Sequence, residues 1–298
     1  MSQPMFEPVL QLPNRTRRSE SIPRRLVSEG KYHLLPVYAL LTTSDLAREG
    51  IRNSGSFRFA DHIYRNEPSG RYGVGRLLDR VLLALRGARS MRSRFFHSRR
   101  EILRAAKEMG GGGGGGAAAA RNGATSADQM VVLSVPCGIA RDMFDVAETL
   151  WSEPSLYEHV RFVGIDIDPE ALDLSRDLVR DHFAFDFRCA DALDAGSLPM
   201  GVDIIVSLGF GEFLSDDVLL DFYRRCHASL NHGGRFITSA MNRDRISDYL
   251  ARELAELHTH YRSTDHLADL LESAGFTKIR TTRDAVGLQT LAVAEKIP

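Results

Sequence analysis

From Met130 onward the apolar residues change their spacing in a regular way. The run Met130-Val131-Val132-Leu133-Ser134-Val135 is short, β-branched and free of charge, as a buried strand should be. After Pro136-Cys137-Gly138-Ile139-Ala140-Arg141-Asp142 the spacing becomes helical, with Phe144, Val146, Ala147, Leu150 and Trp151 on one stripe. Residues 161–165 predict a second buried strand that ends on Asp166-Ile167-Asp168-Pro169, and a helix follows over residues 170–180. Residues 184–189 predict a third strand, closing on Ala190-Asp191-Ala192-Leu193-Asp194. Residues 202–209 predict a fourth, more apolar and therefore more central. A helix over residues 216–229 is expected to end at Asn231-His232-Gly233-Gly234, with a glycine cap, before a fifth strand at residues 235–239. A helix over residues 264–273 stops at Gly275. Two further strands, residues 276–282 and 288–294, are joined by Ala285-Val286-Gly287, a loop too short for anything but antiparallel partners. The expected fold class is α/β: a Rossmann-like, doubly wound, seven-stranded sheet with a C-terminal antiparallel hairpin.

The first third of the chain reads differently. Residues 1–30 carry Pro4, Pro8, Pro13 and Pro23 with the basic pairs Arg17-Arg18 and Arg24-Arg25, and a flexible arm is expected there. Residues 32–49 have helical apolar spacing at Leu34, Leu35, Val37, Tyr38, Leu40, Leu41 and Leu46, and residues 66–75 form a turn-rich connector. Over residues 76–109 the stripe Leu77, Leu78, Val81, Leu82, Leu85 runs beside Arg80, Arg86, Arg89, Arg92, Arg94, Arg99 and Arg100. Such a face can dock on a neighbouring domain, lie on an anionic membrane surface or grip phosphates, docking being the commonest use. Seven glycines, residues 110–116, and four alanines behind them read as a flexible linker. The expected organisation is an arm (1–30), a helical basic region (31–109), a Gly/Ala-rich linker (110–128) and a sheet domain (129–298).

Composition narrows the class. The chain has 298 residues, 43% of them hydrophobic, and no apolar run near the roughly 18 residues of a membrane span. The first 23 residues hold no apolar core of signal-peptide length. Three cysteines, Cys137, Cys189 and Cys226, odd in number and without metal-like spacing, point to a reducing compartment, so a cytoplasmic protein without a metal site is expected. The net charge of −1 conceals an asymmetry: residues 1–109 carry +11 and the remainder −12. The two halves should attract across any shared interface, and the basic half could also meet an anionic ligand, a lipid surface or nucleic acid.

In open parallel sheets ligands sit at the carboxyl ends of the strands, which places the loop over residues 136–141 and Asp166 at one crevice. Gly138 lets backbone approach a ligand, the helix opening near Arg141 offers unpaired N–H groups to an anion, and ionised Asp166 can accept both hydroxyls of a ribose.

Taken together, residues 130–296 resemble the class I S-adenosylmethionine-dependent methyltransferases. Residues 133–142 stand where that family has its glycine-rich motif, Gly164-Ile165-Asp166-Ile167-Asp168-Pro169 matches the second, and Cys189-Ala190-Asp191-Ala192 the third. Residues 203–211 match the fourth and residues 230–237 the fifth, while Leu270-Leu271-Glu272-Ser273-Ala274-Gly275-Phe276 is similar to the helix before the family's last hairpin. Residues 66–100 resemble a helical segment that precedes the domain in an uncharacterised bacterial subgroup, sometimes fused to α/β-hydrolases.

The resemblance implies S-adenosyl-L-methionine as cofactor, held by Ser134, Pro136, Cys137, Gly138, Asp166, Ile167, Asp191, Ala192, Ser207, Leu208 and Gly209. It places Phe210 and Phe213 beside a small-molecule or lipid-like acceptor. A dedicated catalytic residue is not implied; His258, His260 and Tyr261 are the candidates should the acceptor need a base. Two departures stand out: only the middle glycine of Gly-x-Gly-x-Gly survives in Pro136-Cys137-Gly138-Ile139-Ala140, and Ser134 replaces an acid that helps to hold the methionyl ammonium. A nucleoside-binding regulatory or scaffold protein with lost turnover is therefore an alternative. An NAD-dependent oxidoreductase is a poorer one, because its Gly-x-Gly-x-x-Gly would fall on Pro136, Gly138 and the bulky Arg141.

Overall fold

Side chains that stop one helix and start the next organise the N-terminal half. The computed structural model describes residues 18–53, 55–110, 129–245, 248–249, 252–253 and 258–297. Among the described residues six helices precede the sheet: α1 (Arg18–Ser28), α2 (Leu34–Leu41), α3 (Asp45–Arg52), α4 (Phe57–Arg65), α5 (Tyr72–Ala84) and α6 (Arg86–Gly110). The periodic stretch over residues 32–49 is split in two because Ser44 takes the N-cap of α3, its Oγ accepting from the Ala47 N–H at 2.9 Å. Ser56 caps α4 in the same way. The single basic stripe expected over residues 76–109 is likewise two helices, broken where Leu85 turns extended.

Part of the expected arm is ordered. Ile22 and Leu26 of α1 are fully buried against Leu34 and Ile51, which is enough apolar contact to hold a helix containing Pro23. Residues 1–17 of that arm, and residues 111–128 of the expected linker, lie outside the described residues. Asp79, fully buried on α5, fastens the helices to one another. Its carboxylate accepts from the Ser44 hydroxyl and from the N–H groups of Leu46 (3.3 Å), Ser69 (3.0 Å) and Gly70 (2.7 Å). The turn it holds is tight: a Cβ on Gly75 would stand 2.2 Å from the Thr43 carbonyl oxygen.

The sheet contains β1 (Met130–Ser134), β2 (Val160–Asp166), β3 (Phe185–Cys189), β4 (Val202–Ser207), β5 (Leu230–Met241), β6 (Thr277–Arg283) and β7 (Gln289–Glu295), in the order β3-β2-β1-β4-β5-β7-β6. The first five are parallel, and β7 runs antiparallel between β5 and β6. Helices α7 (Arg141–Trp151), α8 (Pro154–Tyr157), α9 (Pro169–Leu178), α10 (Asp216–Ser229) and α11 (Thr264–Ser273) complete the two layers. Alternate strand residues feed two cores: Leu133, Ile205, Phe222, Phe236 and Leu271 meet on one side, and Val132, Ile204, Val146 and Leu150 on the other. Ile102, Ala105 and Ala106 of α6 belong to the second core, so the basic region supplies one of the sheet's own covering helices.

The start of β5 also differs from the sequence reading. Asn231-His232-Gly233-Gly234 does not close α10 but lies within β5, which begins at Leu230. Leu230 pairs with Val202 across a bulge, the Gly233 N–H donates to the Lys296 carbonyl, and Gly233 takes its positive φ inside the ladder. No helix among the described residues is long and apolar enough to cross a membrane.

Asp79→Ala strands several buried donors at once and should destabilise the protein by about 3 kcal/mol, with Asp79→Asn losing less because it keeps an acceptor. Urea unfolding checks the size, and amide exchange should locate the loss in α3 and α5.

Candidate functional site

The chain leaves β1 toward β2 on one side and later returns to β4 on the other, so the crevice of this sheet opens between the ends of β1 and β4. The loop after β1 is tied to both neighbours: the Val135 N–H donates to the Val206 carbonyl and the Cys137 N–H to the Ile165 carbonyl, both at 2.9 Å. Gly138 follows with φ +53° and donates its N–H to Asp166 Oδ2 at 2.7 Å. Asp166 is 8% exposed; its Oδ1 accepts from the Asp168 N–H at 3.0 Å. Burial raises its carboxyl above the usual range, and the two backbone N–H groups oppose that. The glycine loop and the acid of β2, expected at one crevice, are adjacent and joined by a direct hydrogen bond that the sequence reading did not foresee.

The other predicted positions spread along the same edge. Ser134 and Ser207 are buried at the ends of β1 and β4, Ile167 is exposed beside Asp166, and Asp191 is half-buried after β3 with Oδ1 accepting from the Leu193 N–H at 2.8 Å. Ala192 is buried behind it. Pro136 is half-buried and Cys137 buried, and burial pushes the Cys137 thiol well up, so the side chain fills space rather than acting as a thiolate. Leu208 is half-buried. Gly209 takes φ +76° and donates its N–H to Ser239 Oγ at 3.1 Å. Phe210 turns its ring edge-on to Phe222 in the core, 5.3 Å between centroids, whereas Phe213 is exposed. Of those two aromatic residues, Phe213 is the one open to solvent.

The sequence reading missed the roof. Phe57, at the start of α4, stands over Gly138: a Cβ there would lie 3.2 Å from the Phe57 Cβ, so the helical cap already occupies the space that the glycine leaves. Arg58 pairs with Glu170 at the start of α9, and Asp61 takes the Arg141 guanidinium at 2.5 Å at the start of α7. At the far end of α4 the Tyr64 hydroxyl accepts from Arg94 Nε at 3.3 Å, and Arg94 Nη1 reaches Glu212 at 3.0 Å. Glu212 sits in the short 3-10 turn Phe210–Phe213 and also accepts from Gln289 Nε2 at 3.1 Å. A Cβ on Gly209 would meet the Arg94 guanidinium at 2.7 Å. Helix α4 thus covers the loop after β1 and is tied to the loop after β4 through Arg94 of α6. Nothing in the sequence distinguished Arg94 from the other arginines of its stripe.

Beside β4 and β5 an open cavity of 630 Å³ is bordered by Ser215, Asp216, His260, Tyr261, Arg262 and His266. Arg262 is buried and held by Asp216 at 2.8 Å and by the carbonyls of Gly211 and Leu214. Tyr261 donates to Asp248 at 3.0 Å, and burial together with that carboxylate pushes its phenol up to about 12, so it stays protonated. His260 is exposed at the cavity; His258 is exposed and is not part of its border. The described residues contain no group of histidine, cysteine, aspartate and glutamate side chains arranged to hold a metal.

Residues 133–236 match the family model described as a methyltransferase domain. No curated protein matches the chain in sequence. Among solved structures it is similar to a protein from Bordetella parapertussis described as a possible exported protein, 22% identical over 87% of this chain and 86% of that one, with a TM-score of 0.69. It is also similar to the S-adenosylmethionine-dependent methyltransferase SibL, 14% identical over 92% and 77% of the two chains, TM-score 0.51. A third is magnesium protoporphyrin IX methyltransferase from Synechocystis PCC 6803 with bound SAH, 11% identical over 79% and 93%, TM-score 0.50. At these identities the likeness is one of fold.

Two outcomes test the roof and the loop. Arg94→Ala leaves Glu212 without its buried cation and should cost about 3–5 kcal/mol in thermal or urea unfolding, while Arg94→Met with Glu212→Gln recovers most of that loss. Asp142, on the first turn of α7, is pushed up to about 6 by desolvation. Its folded value lies above its unfolded one, so the native state is favoured below the unfolded value and penalised as pH rises through about 6. Asp142→Asn should melt higher than the unsubstituted protein near neutral pH, and the gap should close toward about pH 4.

Proposed function

We propose, from the premise that this chain carries a class I S-adenosylmethionine-dependent methyltransferase domain, that it transfers a methyl group to a small-molecule or lipid-like acceptor. The observation that carries the reading is the buried Asp166 carboxylate bonded to the Gly138 N–H at the switch point of the sheet. A ribose diol offers the same kind of donors as the Gly138 and Asp168 N–H groups, so the residues present fit a nucleoside. Asp166 would hold the ribose, Ile167 and Asp191 with Ala192 the adenine side, and the loop from Ser134 to Gly138 the methionyl end. When bound, the cofactor supplies a methyl already activated on sulfur.

The chain's own task is then to align and to exclude water. Helix α4, with Phe57 over Gly138 and Tyr64 on Arg94, is the lid that does so. Ser207, Leu208 and Gly209 line the methyl side, and Phe213 with the cavity at His260 and Tyr261 receives the acceptor. For an oxygen acceptor His260 takes the proton, whereas Tyr261, pushed up to about 12 with its hydroxyl hydrogen given to Asp248, does not serve as the base. Three free cysteines support a cytoplasmic location.

One alternative has its own support. Ser134 offers no carboxylate to a methionyl ammonium, and Phe57 sits on the glycine loop, both of which suit a nucleoside-binding scaffold without turnover.

Calorimetric titration with S-adenosylhomocysteine should show binding that Asp166→Ala weakens by at least about tenfold, the loss of one or two charge-assisted hydrogen bonds. Because binding needs the ionised carboxylate and burial raises the Asp166 value, affinity should fall on acidification sooner than for an ordinary aspartate. Unchanged affinity in the variant, or stabilisation by NAD instead, overturns the cofactor. Binding without methyl transfer to any component of a cell extract selects the scaffold.

A further inference from the structure

The basic residues of the N-terminal helices are put to two different uses. On α6, Arg94 pairs with Glu212, Arg99 with Asp145 and Lys107 with Glu153, all of them acids of the sheet half. Along α5 and its flanks, Arg71, Arg76, Arg80 and Arg89 are exposed and make no ion pair among the described residues. Residues 71–89 contain five arginines and a single acid, Asp79, whose carboxylate is buried inside the fold. Of the five, Arg86 meets Asp244 at 3.9 Å, and the other four present positive charge with no ion-pair partner among the described residues.

The same helix turns apolar side chains outward. Val74 (59% exposed), Leu77 (58%) and Val81 (50%) recur at helical spacing, on the side away from buried Asp79 and Leu83, with Arg76 and Arg80 along one flank, and Leu85 (51%) is exposed just past the helix end. Helix α2 packs beside α5, has no charged residue from Leu34 to Leu41, and leaves Val37 and Leu40 exposed. Scattered exposed leucines are ordinary, but a continuous aliphatic stripe bordered by unpaired arginines is not.

We propose that α5, with the adjoining α2, is a docking surface for an anionic lipid bilayer. The helix lies in the interfacial plane, its aliphatic stripe among the upper acyl chains and its arginines at the headgroup phosphates. Charge argues against the other occupants. A second copy meeting this face about a twofold axis would bring Arg76 and Arg80 against their own equivalents with no acid between them. A nucleic acid would satisfy the arginines but leave the valines and leucines facing water. The proposal does not depend on methyl transfer and is tested without any cofactor.

The test is flotation of the full-length protein, at low salt, with vesicles of phosphatidylcholine alone and of phosphatidylcholine mixed with phosphatidylglycerol. Binding is expected to the mixed vesicles only, and to weaken as salt is raised. Arg76→Gln with Arg80→Gln should reduce partitioning about 25-fold, from about fivefold per charge. Leu77→Asp with Val81→Asp should abolish it. All four positions are exposed, so melting temperature serves as the folding control, and if the aspartate pair fails to fold the arginine pair decides. Absence of binding to the mixed vesicles, equal binding to neutral ones, or indifference to the arginine pair overturns the proposal. So does a dimer in light scattering that Leu77→Asp with Val81→Asp dissociates, which would assign the face to a second copy.

Discussion

A guanidinium taken out of water must find its counter-charge where it lies, and Arg94 finds Glu212. That pair joins a helix that precedes the sheet to the loop after its fourth strand, and the position of α4 depends on it through Tyr64. Once α4 is held at that end, Phe57 at the other end falls on Gly138 and Asp61 on Arg141. A buried ion pair of this kind contributes little net stability over an apolar substitute. It does, however, admit few alternative arrangements, because misplacing either partner leaves a charge in a dry environment.

The opposed charges of the two halves acquire a structural meaning from this arrangement. Arginines of α4 and α6 meet Glu170, Glu212 and Asp145, while in the reverse sense Glu101 and Glu108 of α6 take Arg280 and Arg235 from the sheet. The exposed members of this set contribute little one by one. The attachment rests instead on Ile102, Ala105 and Ala106, which enter the same core as β1 and α7. Ion pairs then set the register of a cap that burial holds in place.

How far the sequence could be read follows from the range of the forces involved. The strands of the sheet, the hairpin across Ala285-Val286-Gly287 and the acid at the tip of β2 were legible because alternation, β-branching and turn residues act within a few positions. The end of α10 was not. Gly233 looks like a helix cap by local chemistry, yet its backbone is claimed by Lys296, far away in the chain. The split at Ser44 was hidden for a similar reason, since Ser44 answers both to Ala47 and to Asp79, which lies thirty-five residues on.

By itself, the sequence determined the α/β class, the order of the strands along the chain and the placing of the 136–141 loop and Asp166 at one edge of the sheet, because a parallel sheet must place its loops at the carboxyl ends of the strands. Only the tertiary structure decided which arginine is buried, that the missing side chain at Gly138 makes room for Phe57, and which basic face is left without a partner. Those outcomes depend on burial and on contacts between distant segments. An arginine in a helical stripe has the same local sequence whether it ends in a core or in water.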